Sequence, residues 1–227
     1  ASLITRRAAF GTYGSFSAKF AASAANAPFL EDPVLFPGEP GTYRLPELTE
    51  GVDTYCWAHN ETSTGVAAPI RRVAGSREAG ALTVIDGTSA AGAFACGPSA
   101  RPTIYYFSPQ KAFGADGGLW VAILSPEAID RAAGVESSAH LEGAHRWVPP
   151  FLSLTSALDN ARKDQTLNTP SVATLIMLEN QVRWLNENGG MAWSTARCAQ
   201  SAALLYEWAE RSRIRPAVRR RPGLRAP

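Results

Sequence analysis

Lysine is rare in this sequence, so its few positions are informative. The 227 residues include 22 cationic side chains, but only three of these are lysines, Lys19, Lys111 and Lys163. Because arginine supplies nearly all the other positive charge, a lysine here is a candidate for amine chemistry. Lys111 is the strongest candidate, since it lies shortly after an apolar run, residues 103–107, that predicts a buried strand.

Asp86 occupies a matching position, because it closes the apolar run over residues 81–86. Ligands of parallel sheets bind where the strands end, so Asp86 and Lys111 are predicted to share one cleft. An amine that forms a Schiff base and a carboxylate that keeps a pyridine nitrogen protonated are the pair that pyridoxal 5'-phosphate requires. The pattern alone leaves a plainer alternative open, in which Asp86 caps a turn and Lys111 is a solvated loop residue.

The segment over residues 165–175 predicts the start of a helix. Thr169 is a suitable N-cap and Pro170 suits the first helical position. A helix N-terminus with Asn168 and Thr169 beside it also offers N–H groups and a hydroxyl to a phosphate. Both interpretations, an ordinary helix start and a phosphate site, stay open on the sequence.

The hydrophobic pattern predicts an α/β fold. Apolar runs rich in β-branched and aromatic residues predict strands over residues 52–58, 81–86, 103–107 and 119–124. Helical patterns cover residues 14–26, a segment from 125, residues 169–190 and residues 191–212, with two glycines at the last junction. Strands of this kind followed by long helices indicate a largely parallel central sheet flanked by helices.

Composition excludes several classes of protein. There is no apolar run long enough to span a membrane and no apolar signal-peptide core at residues 1–11, so we expect a soluble, cytoplasmic protein. Three cysteines without CxxC spacing argue against a disulfide framework and a zinc site. His140 and His145 are spaced too far apart to share a helical face as metal ligands do, so no metal is expected.

The positive net charge belongs to the end of the chain. The last 17 residues hold seven arginines and no acid, and the rest carries 15 basic against 20 acidic side chains. We therefore expect a domain over residues 1–210 and an arginine- and proline-rich, disordered tail over residues 211–227. Because the body is acidic, no nucleic-acid partner is expected.

Five separated motifs resemble one known family. They are WAHNETSTGV (57–66), VIDGTSAAG (84–92), YYFSPQKAFGADGGLW (105–120), RWVPPFLSL (146–154) and NTPSVATL (168–175). In order and spacing they resemble the phosphoserine aminotransferases, particularly the actinobacterial branch, within the class-V aminotransferases that use pyridoxal phosphate. The resemblance runs from about residue 11 to about residue 210 and implies the large domain of fold-type I enzymes. The sequence resembles the central part of such an enzyme, without its N-terminal segment and its C-terminal small domain.

The resemblance implies roles around the cofactor ring. Lys111 would form the internal aldimine, and Asp86 would pair with the pyridine nitrogen. Thr62 would hydrogen-bond the phenolic oxygen of the ring. Phe16 matches the aromatic residue that stacks on the ring, although a core position on an amphipathic helix is an equally good interpretation.

The resemblance also implies contacts to the cofactor's phosphate. Gln110 would contact the phosphate end, and Asn168 and Thr169 would reach the phosphate of the neighbouring subunit's cofactor. A homodimer with a shared active site is therefore expected. Gly87 departs from the family, whose members tend to have alanine at this position.

The implied reaction moves the amino group of L-glutamate to 3-phosphohydroxypyruvate, giving O-phospho-L-serine and 2-oxoglutarate in serine biosynthesis. The phosphohydroxythreonine step of pyridoxine biosynthesis is a further candidate reaction of the family. Residues for the substrate's phosphate and carboxylate are missing from the matched motifs. A second hypothesis therefore stays open, a non-catalytic fragment or pseudoenzyme that at most binds pyridoxal phosphate.

Overall fold

The structure, a computed structural model, describes residues 2–96, 101–139 and 146–212. His140, His145 and all but the first two residues of the arginine-rich tail lie outside these ranges. The strands are β1 (Ala8–Thr12), β2 (Val34–Pro37), β3 (Thr54–Ala58), β4 (Asn60–Glu61), β5 (Val66–Ala67), β6 (Leu82–Asp86), β7 (Ile104–Phe107) and β8 (Val121–Leu124). The helices are α1 (Ser15–Ala25), α2 (Pro126–Ala139), α3 (Leu154–Ala161), α4 (Val172–Glu187) and α5 (Gly190–Arg211), with a 3-10 turn at Pro150–Leu152.

Six strands form one sheet in the order β2-β1-β3-β6-β7-β8. All neighbours pair in parallel except β7 and β8, which are antiparallel. Strands β4 and β5 form a separate antiparallel hairpin directly after β3. The predicted α/β fold with a largely parallel sheet is therefore confirmed, and five parallel strands (β2, β1, β3, β6 and β7) end at one edge.

The sheet is buried on both faces. Tyr55, Trp57 and Ile85 belong to the core on one face, and Phe10 and Val84 belong to the core on the other. Alternate residues of a strand point to opposite faces, so continuously apolar strands are needed where both faces are covered. This explains why the strands appear in the sequence as near-continuous apolar runs.

A buried carboxylate connects α2 to α3. Glu136 accepts hydrogen bonds from the Ser153 hydroxyl at 2.6 Å and from the backbone N–H of Leu154 at 2.8 Å. Ser153 is also the N-cap of α3, where its hydroxyl accepts the N–H of Ser156 at 3.0 Å. These bonds satisfy donors at the start of α3 that have no partner within the helix.

The sequence predicted the main elements but not all of them. The four predicted strands correspond to β3, β6, β7 and β8, and the four predicted helices to α1, α2, α4 and α5. Strands β1 and β2, the β4–β5 hairpin and α3 were not predicted. Within the described ranges, no helix combines the length and the apolar character needed to cross a membrane.

The predicted start of α4 was wrong by two residues. The helix begins at Val172 with Ser171 as its N-cap, so Thr169 does not cap it and Pro170 is not its first residue. The Ser171 hydroxyl lies 2.9 Å from the Thr174 hydroxyl within the first turn. Several capping residues follow one another here, and local preference alone did not select between them.

Candidate functional site

The predicted candidate residues Asp86 and Lys111 follow strands that end at the same edge of the sheet. Asp86 is the last residue of β6 and pairs in register with Ala58 of β3 and Tyr106 of β7. The backbone ladder continues one step further, because His59 N–H donates to the Asp86 carbonyl and Gly87 N–H to the Tyr106 carbonyl, both at 2.8 Å. The ends of three strands are therefore fixed tightly around Asp86.

The Asp86 side chain is half-buried. Its Oδ1 accepts the backbone N–H of Thr88 at 2.9 Å. Burial raises the pKa of the Tyr106 hydroxyl, and the nearby Asp86 carboxylate raises this pKa further. The Asp86 carboxyl group therefore lies beside a neutral tyrosine at the edge where ligands of parallel sheets bind.

The loop after β7 packs against the turn that follows Asp86. An ideal Cβ built on Gly92 would lie 3.3 Å from the Ala112 side chain. The loop is closed by a hydrogen bond from Gly114 N–H to the Lys111 carbonyl at 2.9 Å. The Phe113 ring stacks on Phe107 at 5.1 Å between centroids. Lys111 and the neighbouring Gln110 are exposed.

Phe16 and Thr62 lie beside the ends of neighbouring strands. Phe16 is in the first turn of α1, which follows β1, and its side chain is 48% exposed. The Lys19 ammonium lies 5.6 Å from the centre of the Phe16 ring. Thr62 is exposed in the turn between β4 and β5, after β3. Phe16 is therefore not a core residue of this chain, and its contact with a ligand stays a prediction.

Asn168 and Thr169 belong to a different part of the surface. Both are exposed and line an open groove of about 760 Å³ before α4. The other lining residues are Ala161, Asp164, Gln165, Thr166, Leu167, Pro170 and Leu175. None of these comes from the strand ends around Asp86, so the structure does not bring Asn168 and Thr169 into the same group. The prediction that they serve a neighbouring subunit stays a prediction.

Gly87, where the resemblance implies an alanine in relatives, has no room for a side chain. A Cβ at this position would lie 2.2 Å from Cζ and 2.4 Å from the hydroxyl oxygen of Tyr105. The Tyr105 ring therefore occupies the space that an alanine at position 87 would need.

We expect Gly87→Ala to lower the free energy of unfolding by about 1–3 kcal/mol, the usual cost of overpacking a well-filled site. Urea unfolding measures this loss of stability when Gly87→Ala is made in the wild type and, separately, in a Tyr105→Leu background. The cost should nearly disappear in the second background. An equal cost in both would show that Tyr105 is not the obstacle.

His59 is a buried histidine that the sequence did not single out. Its ring is 6% exposed, its Nδ1 lies 3.1 Å from the Tyr105 hydroxyl, and Phe94 packs against it. Burial lowers the pKa of His59 from 6.5 to about 4. His59 is therefore neutral near pH 7 and acts as a packing and hydrogen-bonding group behind the strand ends.

The lowered pKa of His59 predicts a loss of stability in acid. Between its folded pKa of about 4 and its unfolded value of 6.5, the unfolded chain binds more protons, so stability rises with pH. The contribution of His59 to the free energy of unfolding is complete above the unfolded pKa of 6.5. Up to about 3 kcal/mol of it is lost as the pH falls to the folded pKa of about 4. Urea unfolding across this range should show a smaller acid loss for His59→Gln than for the wild type. Identical pH profiles would contradict the assignment.

Glu61 is a second residue that sequence patterns missed. Its side chain is fully buried, and it accepts the Ser17 N–H at 2.7 Å and the Ser63 hydroxyl at 2.7 Å. A glutamate inside a polar NET motif gives no local sign of burial. Its partner Ser17 is distant in sequence, so only the three-dimensional contact identifies it.

Comparison with known proteins places the chain in a family. The sequence pattern of "Aminotransferase class-V" matches residues 41–217, which is most of the chain. The chain belongs to the class-V aminotransferase family. Among curated relatives, "Phosphoserine aminotransferase" of Rhodococcus opacus (strain B4) is 50% identical over 210 residues, which is 92% of this chain and 54% of that protein. The chain therefore spans about half the length of the curated relatives it matches.

Solved structures of phosphoserine aminotransferases share the fold. A phosphoserine aminotransferase from Cytophaga hutchinsonii matches with a TM-score of 0.78 at 22% identity, covering 93% of this chain and 58% of that one. The "PLP bound phosphoserine aminotransferase" from Trichomonas vaginalis matches with a TM-score of 0.64 at 19% identity, covering 94% and 57%. At these identities the likeness establishes the fold alone.

Proposed function

We propose that this chain is part of a pyridoxal-phosphate-dependent phosphoserine aminotransferase that moves the amino group of L-glutamate to 3-phosphohydroxypyruvate. The observation that supports it most is the 50% identity to a relative described as a phosphoserine aminotransferase, over 92% of the chain. The predicted amine and carboxylate, Lys111 and Asp86, also belong to adjoining segments at the strand ends.

The chemistry of the available donors fits pyridoxal phosphate. Four groups lie at or after the ends of neighbouring parallel strands. They are an exposed amine (Lys111), a half-buried carboxylate (Asp86), an exposed aromatic face (Phe16) and an exposed hydroxyl (Thr62). We propose that Lys111 holds the aldehyde carbon, Asp86 the pyridine nitrogen and Thr62 the phenolic oxygen, while Phe16 covers the ring. The phosphate would be held by Gln110, which is next to Lys111. Asn168 and Thr169 would also hold it, from a partner subunit.

When bound, pyridoxal phosphate supplies an electron sink that stabilises negative charge at the Cα of an amino acid. The chain's own residues provide the proton chemistry. The Lys111 amine takes the proton from the substrate Cα and later returns a proton, so it acts as general base and then as general acid. The Asp86 carboxylate holds the proton on the pyridine nitrogen through a charge-assisted hydrogen bond. We also propose that the protein assembles as a cytoplasmic homodimer. We further propose that it catalyses the phosphohydroxythreonine step of pyridoxine biosynthesis.

The two half-reactions test the proposal. The purified chain is mixed with pyridoxal phosphate and L-glutamate, and 2-oxoglutarate is measured in a single turnover. 3-Phosphohydroxypyruvate is then added, and O-phosphoserine is measured by mass spectrometry. Both products are expected. Cofactor uptake without 2-oxoglutarate would support the alternative of a non-catalytic, cofactor-binding chain.

A further inference from the structure

The Glu61 carboxylate lies at the contact between α1 and the β4–β5 hairpin. Its Oε2 accepts the N–H of Ser17 at 2.7 Å, and its Oε1 accepts the N–H of Phe16 at 3.4 Å. On the hairpin side, Oε1 accepts the hydroxyl of Ser63 at 2.7 Å and the N–H of Ser63 at 3.2 Å. One fully buried side chain therefore holds donors from two segments of the chain.

Glu61 replaces the cap that α1 lacks. The first N–H groups of a helix have no partner within it, and the N-cap residue Gly14 has no side chain to offer. A carboxylate at this end satisfies these groups and complements the positive end of the helix dipole. The hydrogen bonds from Ser17 and Ser63 outweigh the effect of burial, which alone would raise the pKa of Glu61, and leave that pKa below its usual value.

Gly14 leaves the space that Glu61 needs. A Cβ on Gly14 would lie 2.4 Å from both Cγ and Cδ of Glu61 and 2.5 Å from the hydroxyl oxygen of Ser63. The backbone of Gly14 is extended, with φ of 172°, so the glycine is required for space and not for its conformation.

Two further hydrogen bonds connect the same segments. The N–H of Ser15 donates to the Ser63 hydroxyl at 2.9 Å. The Thr64 hydroxyl donates to the Tyr13 carbonyl at 2.9 Å. The hairpin turn and the start of α1 are therefore joined around Glu61 and are predicted to move together.

We infer that Glu61 is a positioning residue that fixes Phe16 and Thr62 relative to each other. Phe16 donates its own N–H to Glu61, and Thr62 lies between Glu61 and Ser63, which are bonded to each other. The claim that Phe16 and Thr62 contact the same cofactor rests on the proposed function. The claim that the Glu61 carboxylate joins their two segments rests on the hydrogen bonds alone.

Amide hydrogen exchange without cofactor tests the link between the segments. Glu61→Gln keeps the size of the side chain but removes the charge and one acceptor. Exchange at residues 15–18 and 63–65 should accelerate together by roughly tenfold or more, the effect of weakening a charge-assisted hydrogen bond. Glu78→Gln, at an exposed site, is the matched control and should leave both segments unchanged. Acceleration in only one segment, or equally throughout the chain, would overturn the inference.

A second pair of variants tests the steric part of the link. Gly14→Ala should accelerate exchange in both segments, because its methyl group displaces the Glu61 carboxylate. In a Glu61→Ala/Ser63→Ala background the same substitution should add little, since both side-chain groups that crowd the methyl group are then removed. An equal effect of Gly14→Ala in both backgrounds would show that Gly14 is not coupled to Glu61 and Ser63.

Cofactor binding provides a readout that a purely structural role would not change. Titration with pyridoxal phosphate should show at least about tenfold weaker affinity for Glu61→Gln than for Glu78→Gln, with a smaller induced circular dichroism of the bound cofactor. Equal affinity and equal dichroism would overturn the positioning role. If the wild type takes up no cofactor at Lys111, the proposed function fails, while the exchange experiments still decide whether Glu61 joins the two segments.

Discussion

We expect Lys111→Ala to abolish covalent attachment of pyridoxal phosphate and to slow the glutamate half-reaction by a factor on the order of 10²–10⁴, the usual contribution of a general acid–base group. The chain is mixed with the cofactor, reduced with borohydride and digested, and the modified lysine is identified by peptide mass. With three lysines in the chain, the assignment is direct. The wild type should be labelled at Lys111, and the variant should carry no label.

Two controls separate the amine of Lys111 from its charge and from stability. Lys111→Arg keeps the positive charge but cannot form the covalent link, so it should behave like Lys111→Ala. Lys163→Ala removes another exposed lysine and should be labelled like the wild type. Because Lys111 is exposed, its replacement should change the free energy of unfolding by no more than about 0.5 kcal/mol. A label on Lys19 or Lys163 in the wild type would contradict the role of Lys111.

Strand prediction succeeded for β3 and β6, which are buried on both faces, but missed β1, whose sequence AAFGT is equally buried. Strands β3 and β6 appear as continuous apolar runs, because neither face can accept many polar side chains. Strand β2, VLFP, is short and ends in proline, and it lies at the edge of the sheet, where fewer apolar residues are needed. The antiparallel direction of β8 depends on pairing with β7, which no local pattern reports.

The edge of the sheet that carries the candidate site could also be predicted. Asp86 and Lys111 each follow a buried strand, and a parallel sheet brings such positions to one edge. The exact start of α4 could not be predicted, because Thr169 and Ser171 are both good N-caps, and local preference does not choose between them; the helix begins after Ser171. The roles of Glu61 and His59 depend on partners far away in the sequence, so no local pattern identifies them.

We expect Asp86→Asn to slow the glutamate half-reaction by roughly tenfold to a hundredfold while leaving the cofactor attached to Lys111. The substitution removes the negative charge that would hold the pyridine proton, and a charge-assisted hydrogen bond contributes about 1.5–3 kcal/mol. The bond from Thr88 N–H to Oδ1 is retained, because the amide oxygen of asparagine also accepts it. Folding should therefore change little.

Asp116→Asn is the matched control for this prediction. Asp116 is exposed in the loop that carries Lys111, and its Oδ1 also accepts a nearby backbone N–H, that of Gly117 at 2.8 Å. Both substitutions remove one negative charge and keep one local hydrogen bond, so they differ mainly in position relative to the strand ends. Single-turnover formation of 2-oxoglutarate should be slowed by Asp86→Asn alone. Equal rates in the two variants would mean that the Asp86 charge does not act on the cofactor, and the carboxylate would then serve only to cap the turn at Thr88.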